Sequence, residues 1–384
     1  MIALLDFIAY RRLKREGAGK AVRYSFAGVI LFSYLLIILV PLFMFAFINA
    51  GNSQPMMKFS MAILTGYLFF TISRLFLYVF WLPTKRKCWI WTGVAVSSFL
   101  LLSFAYGAFV TRTDYKVKEV ELSFEGLPES FDGYRIAFIS DIHIGSMWNP
   151  ESELEKLSSV VNSTGADVIL FGGDLVNLHH SELSQPILDR LSVIKARHGV
   201  FAVMGNHDTG SYVKGSTKEL RAENMASLAR SVSSSGWTYL RDSTAYINNG
   251  THSIAITGID YSEKLQDYKH SFKAIESFDV SHIYDNVPDS VFNITVSHLP
   301  QLWHSLCDSG YSDLTLAGHI HAMQMKVASL SPAALVYDEW SGLYEREKGK
   351  LYINDGIGSV GFFARIGARP EVTVIELKNS KEGD

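Results

Sequence analysis

Tyr134-Arg135-Ile136-Ala137-Phe138-Ile139-Ser140-Asp141-Ile142-His143 reads as a short, almost wholly apolar strand that ends on two polar, metal-competent side chains. A run of this length without alternation fits a strand covered on both faces. Two further segments repeat the pattern. Val168–Phe171 ends in Gly172-Gly173-Asp174, and Val200–Met204 ends in Gly205-Asn206-His207-Asp208. Between them lie helices expected over Pro150–Val161 and Pro186–Arg197. The first has Pro150 at the first helical position, Glu151 and Glu153 in the first turn, and Leu154, Leu157 and Val161 on one face. The order β-α-β-α-β predicts parallel strands joined by right-handed crossovers.

Later strands are expected at Phe292–Val296, Leu314–Leu316, Lys350–Ile353 and Val372–Leu377. Asn249-Gly250 marks a hairpin between Ala245–Asn248 and Ser253–Thr257. The order suggests an α/β domain with a second, more antiparallel sheet.

In parallel α/β sheets the carboxyl ends of the strands share one edge, where ligands bind. Asp141, Asp174 and Asn206 follow three successive strands and are expected to converge there. His298 follows the strand at 292–296, and His319 and His321 follow that at 314–316. Asp141 with His143, and His319 with His321, are two apart and would point the same way in extended backbone. Seven O and N donors at one edge suit borderline divalent metals such as Mn, Fe or Zn. Each motif alone is commonplace: Gly-Gly-Asp is usually a tight turn and a lone His usually structural. Five motifs in order, all at strand ends, are not. His179-His180 belongs to no such pattern and reads as a surface loop, with substrate contact as its alternative.

The first third is different. Apolar stretches run over about Tyr24–Ala50, Phe59–Leu82 and Trp89–Val110, each long enough to cross a bilayer as a helix. Arg74 alone interrupts them and should face another helix or snorkel. Residues 1–10 are apolar but too short to span, which suggests an interfacial helix. Six Lys or Arg (Arg11, Arg12, Lys14, Arg15, Lys20, Arg23) precede the first span. Only Lys58 lies in the first loop, whereas Lys85, Arg86 and Lys87 lie in the second. Positive charge stays cytoplasmic, so three spans place everything after about Arg112 outside. The chain is thus expected to comprise a membrane domain over 1–112 and a second domain over 113–384, a multi-pass cell-membrane protein with an extracytoplasmic catalytic domain.

Charge follows the same division. Of 35 Lys and Arg and 38 Asp and Glu, the first 112 residues hold 12 and two, a net of +10; the rest holds 23 and 36, a net of −13. An acidic domain argues against a nucleic-acid partner, which needs basic patches. Two cysteines, Cys88 and Cys307, give neither a disulfide framework nor a Cys-based metal site.

Taken as a set, Asp141-Ile-His143, Gly173-Asp174, Gly205-Asn206-His207-Asp208, His298 and Gly318-His319-Ile-His321 resemble the five-block signature of the calcineurin-like metallophosphoesterases. Leu127–Gly133 and Arg365–Glu371 resemble the membrane-attached branch typified by bacterial YkuE- and YaeI-like phosphoesterases and transmembrane metallophosphoesterases. Many of those have Gly-Gly-Gln after the last His, where this chain has Ala322-Met323-Gln324.

The resemblance implies a four-layer α/β/β/α sandwich and two divalent metal ions. Asp141, His143, Asp174 and His321 would hold one; Asp174, Asn206, His298 and His319 the other, with Asp174 bridging. The implied chemistry is attack of a metal-bridging hydroxide on a phosphate ester, lipid-linked esters included. His207 would donate to the leaving oxygen and Asp208 would orient its imidazole. Two other readings compete. A lipid-nucleotide (UDP-diacylglucosamine-like) pyrophosphatase conflicts with the expected topology, because its substrates are cytoplasmic. A non-catalytic metal-binding scaffold would be signalled by loss of a ligand or of His207, and neither is lost.

Overall fold

The computed structural model describes residues 1–49, 54–262, 265–266, 272–346 and 349–380. It divides into two compact units, one of Met1–Arg112 with Gly361–Ile366, the other of Thr113–Val360 with Gly367–Asp384.

The first unit is helical: α1 (Ile2–Arg15), α2 (Lys20–Asn49), α3 (Gln54–Trp81) and α4 (Lys87–Phe109). Lys20–Ala46, Gln54–Trp81 and Lys87–Thr113 are long and apolar enough to cross a membrane. They coincide with the three expected spans, except that Ala50, the expected end of the first, lies outside the described residues. Arg74 faces a partner rather than snorkelling. Its Nε lies 2.9 Å from Oδ1 of Asp6 on α1, and its Nη1 donates to Ser33 Oγ of α2 at 2.5 Å. Tyr34 and Tyr78 each donate a hydroxyl to the same Asp6 carboxylate at 2.6 Å. Arg74 and Asp6 are both buried, so α1 is packed into the bundle rather than set apart as an interfacial helix. Gly361–Ile366 belongs to this unit through backbone contacts: Phe363 N–H donates to Thr65 Oγ1 at 2.8 Å and Arg365 N–H to Gly107 O at 3.2 Å.

The second unit is built on two six-stranded sheets. The first has the order β1-β12-β2-β3-β4-β5, from β1 (Lys116–Phe124), β12 (Glu371–Asn379), β2 (Arg135–Ile139), β3 (Val168–Phe171), β4 (Val200–Ala202) and β5 (Thr238–Tyr239). Strands β2, β3 and β4 are parallel, as the crossover pattern requires. The second has the order β10-β11-β9-β8-β7-β6, from β10 (Gly342–Arg346), β11 (Gly349–Ile353), β9 (Leu314–Ala317), β8 (Asn293–Ser297), β7 (His252–Ile259) and β6 (Ser243–Asn249). It is the more antiparallel of the two, as the sequence suggests, with two antiparallel pairs against the single pair of β12 with β2 in the first. Only its two edge pairs, β10 with β11 and β6 with β7, are antiparallel. The inner pairs are parallel: short helices, α8 (Phe272–Glu276) and α9 (Trp303–Ser309), lie in the connections from β7 to β8 and from β8 to β9, and the chain passes from β9 to β11 by way of β10.

Phe138, Val168, Leu170 and Val203 of the first sheet bury against Ile254, Ile256, Val296, Leu314 and Tyr352 of the second. The outer face of the first sheet takes α5 (Pro150–Ser163), α6 (Gln185–Leu191) and α7 (Lys218–Ser234). Helix α9 lies on the outer face of the second sheet, where Trp303 and Cys307 pack on Leu351 and Ile353. These are the four layers of an α/β/β/α sandwich. Helix α5 forms where its signals predict: Asn149 Oδ1 accepts from Ser152 N–H at 3.2 Å, Pro150 opens the first turn, and Leu154, Leu157 and Val161 are buried. Helix α6 is shorter than expected. The Leu191 carbonyl that would continue it accepts the Trp237 indole N–H at 3.2 Å, and Lys195 N–H donates to Asn162 Oδ1 instead.

Candidate metal centre

All seven expected donors meet where the strands of both sheets end. Two clusters stand side by side: Asp141 with His143 and His321, and Asp174 with His298 and His319. The ligand atoms within each lie inside 4.8 Å of one another. His321 Nε2 is 3.0 Å from Asp141 Oδ1 and 3.3 Å from His143 Nε2. His319 Nδ1 is 3.2 Å from His298 Nε2, and Asn206 Oδ1 is 2.9 Å from that same nitrogen. Asp174 faces both groups, with Oδ2 at 3.6 Å from His143 Nε2 and 3.2 Å from His298 Nε2.

The backbone that delivers them is not extended, contrary to the i, i+2 argument. Asp141 (φ 55°), His143 (φ 47°), Asp174 (φ 60°), His319 (φ 74°) and His321 (φ 54°) all adopt the left-handed conformation. Each such non-glycine residue costs roughly 1–3 kcal/mol and persists only where its surroundings hold it. Here they do so by hydrogen bonds: Asp141 N–H to Gly173 O at 2.8 Å, His143 N–H to Asp174 O at 3.1 Å, and Gly358 N–H to Asp141 O at 2.7 Å. Glycine is required at Gly205 and Gly318, where an added Cβ would collide with the carboxylates of Asp174 and Asp141.

The electrostatics suit cations. Burial by itself would raise Asp141 and Asp174. The facing rings, His321 for Asp141 and His298 for Asp174, outweigh it and hold both carboxyls below the usual carboxylate range. Burial pushes His143 well below the imidazole range and His319 down to about 3, leaving neutral rings with lone pairs to offer. For His298 burial acts downward, but Asp174 and then Asp141 push it up to about 9. That ring holds a proton where a cation would otherwise answer the two carboxylates. Its Nδ1 donates to Gly172 O at 2.8 Å, which turns Nε2 to the cluster. His143 is fully buried and turns its Nε2 to the cluster, 3.6 Å from Asp174 Oδ2 and 4.0 Å from Asp141 Oδ1. A ring so placed, beside converging carboxylates, fits a metal ligand.

His207 sits beside the clusters and outside them. Its N–H donates to Asp174 Oδ1 at 2.8 Å, and its Nδ1 donates to Asn177 O at 2.7 Å. Asp208 does not orient this imidazole as expected. Its carboxylate accepts four backbone N–H bonds, from Gly205, Asp174, Leu175 and Val176, at 2.8–3.1 Å. It therefore clamps the Asp174 loop to the Asn206 loop. Burial and the Asp174 charge push it up to about 7, against those donors.

Three further residues carry the arrangement. Tyr212 stacks on His207 at 4.3 Å, and its hydroxyl accepts from Asn206 Nδ2 at 2.8 Å, so the Asn206 oxygen faces His298. Asn177 supplies the carbonyl for His207. Buried Glu182 accepts from Asn177 N–H and Leu178 N–H, both at 2.8 Å. A tyrosine six residues past Asn206 carries no sequence signal. His179-His180 forms part of this loop, with His180 N–H donating to Asn224 Oδ1 at 2.8 Å, and does not join the clusters.

The fold and site define a class. Residues 134–323 match the family model described as calcineurin-like phosphoesterase, so the chain carries a calcineurin-like metallophosphoesterase domain and is a metal-dependent phosphoric ester hydrolase. Among its relatives is the uncharacterized metallophosphoesterase YkuE of Bacillus subtilis, 24% identical over 72% of this chain and 90% of its own length. A transmembrane protein with a metallophosphoesterase domain from Danio rerio is 29% identical over 72% of this chain, which spans 60% of that relative. The UDP-2,3-diacylglucosamine pyrophosphatase LpxG of Chlamydia muridarum is 25% identical over 75% of this chain and 92% of its own. These relatives are consistent with the membrane-attached branch.

Proposed function

We propose that this chain hydrolyses a phosphate ester with two divalent metal ions at a membrane surface. One observation carries the reading: Asp174, grouped with His298 and His319, also faces the neighbouring cluster, its Oδ2 lying 3.2 Å from His298 Nε2 and 3.6 Å from His143 Nε2. Asp141, His143, Asp174 and His321 would hold one ion, and Asp174, Asn206, His298 and His319 the other. Mn, Fe or Zn suit this O/N donor set. Ions bound there supply Lewis acidity toward the phosphoryl oxygens and a water nucleophile at neutral pH. The chain's own groups do the rest. His207 keeps its Nδ1 proton on Asn177 O; when also protonated, its Nε2 donates to the leaving oxygen. Tyr212 holds that ring from one side, and Asp208 fixes the loop geometry.

The flanking Lys and Arg support an extracytoplasmic catalytic domain, which would meet lipid-linked phosphates or exported esters. The LpxG relative favours a second reading, a lipid-nucleotide pyrophosphatase, which requires a cytoplasmic domain. A substrate panel on the purified full-length protein tests the choice. Release of phosphate or alcohol from simple mono- or diesters, with a UDP-linked diacylglucosamine left intact, supports the first reading. Preferential cleavage of the UDP-linked lipid overturns it.

A further inference from the structure

The first unit holds a cavity unrelated to the metal clusters, with about 440 Å³ of space between the C-terminal half of α1 and the end of α3. Its wall combines Phe7, Ile8 and Leu82 with Arg11, Arg12, Arg15, Glu16 and Lys85. Phe7, Arg11 and Arg15 follow one another at intervals of four and share one face of α1.

Two of the charges are already matched. Arg12 Nη1 donates to Trp81 O and Leu82 O, both at 2.7 Å, and Nη2 to Thr84 O at 2.5 Å. These bonds cap the end of α3 and the turn that follows it. Glu16 closes on Arg12 Nε at 2.7 Å. Among the described residues no carboxylate pairs with Arg11, Arg15 or Lys85; Arg11 instead lies over the Phe7 ring at 5.6 Å. Three cations therefore face one recess over an apolar floor. The amphipathic ligand that matches it is an anionic phospholipid, its phosphate on the cations and its glycerol and upper acyl carbons on Phe7, Ile8 and Leu82.

We infer that this cavity is a binding site for the headgroup of an anionic phospholipid, held by Arg11, Arg15 and Lys85. The inference uses the membrane-spanning reading of α2 to α4 but not the catalytic one. The site would anchor α1, and through the Arg12 cap the end of α3, to the leaflet whose lipid it takes.

Native mass spectrometry of the full-length protein in detergent tests it, with phosphatidylglycerol and phosphatidylcholine titrated in parallel. The adduct mass reports whether the lipid is intact. Phosphatidylglycerol should bind at lower concentration than phosphatidylcholine. Arg11→Gln, Arg15→Gln and Lys85→Gln should each weaken that preference about fivefold. Asp174→Ala should keep it, since the metal site lies elsewhere, and all three Gln variants should keep ester hydrolysis. Lys14→Gln, an exposed cation outside the cavity wall, should keep it as well. Equal binding of the two lipids overturns the inference, as does a loss in Lys14→Gln matching that in Arg15→Gln, which would mean diffuse charge attraction. Displacement of the lipid by equimolar inorganic phosphate would make free phosphate the ligand and overturn the lipid assignment.

Discussion

At the metal clusters, His207 and Asp174 occupy different positions and should fail differently. His207 touches Asp174 only through its main chain and its ring is held by Asn177 and Tyr212. His207→Ala should leave metal content nearly unchanged and cut turnover by roughly 10²–10⁴-fold, the range for a general acid. Asp174→Ala should lose both ions, and metal analysis of the two purified variants separates the roles. Tyr212→Phe removes the acceptor for Asn206 Nδ2. It should weaken the ion on His298 and His319 more than its neighbour, visible as a split between the two steps of a metal titration. The convergence of the seven side chains was legible in the sequence because each follows an apolar strand, and strand ends meet whatever the loops do. Their conformation was not. Extended and left-handed backbone are indistinguishable in Asp141-Ile-His143, since the hydrogen bonds that hold it come from Gly173, Asp174 and Gly358. Nor was the Asp208 role legible, because its four donors include residues more than 30 positions away.

Among the elements, α1 depends on one buried ion pair. Removing one partner of such a pair leaves an uncompensated buried charge and costs about 3–5 kcal/mol. Asp6→Ala should therefore lower the thermal midpoint of the detergent-solubilised protein and expose α1 to protease. Asp6→Ala combined with Arg74→Leu should recover much of the loss; no recovery would show that the carboxylate matters for something other than Arg74. The sequence showed that Arg74 needs company but could not supply Asp6, 68 residues earlier. Spans, α5 and the parallel β2–β3–β4 core were readable from periodicity and capping alone. Strand β1 and helix α7 were missed although their patterns are present. Met225, Leu228 and Val232 are spaced as a helical face, and Thr217 caps α7 by accepting from Leu220 N–H. Helices α8 and α9, at five and seven residues, are too short for periodicity to register. That is why the parallel pairing of the inner strands of the second sheet was not legible.

For the whole molecule, the basic flanks predict an even simpler outcome. Alkaline phosphatase fused after the last residue should be active, and a fluorescent protein that matures only in the cytoplasm should be dark. The reverse pattern would move the catalytic domain inside and restore the lipid-nucleotide pyrophosphatase as the leading substrate assignment. The two-part organisation was visible in the charge division alone; the return of Gly361–Ile366 to the helical unit was not, because backbone contacts to Thr65 and Gly107 leave no mark on composition. The central claim is a shared two-ion site that performs ester hydrolysis. It is tested most directly by stripping the purified full-length protein with a chelator and titrating Mn back while following hydrolysis of bis(p-nitrophenyl) phosphate. The stripped protein should show no turnover, and activity should rise to a plateau at two equivalents of metal per chain. Full activity at one equivalent, or turnover that survives stripping, would contradict it.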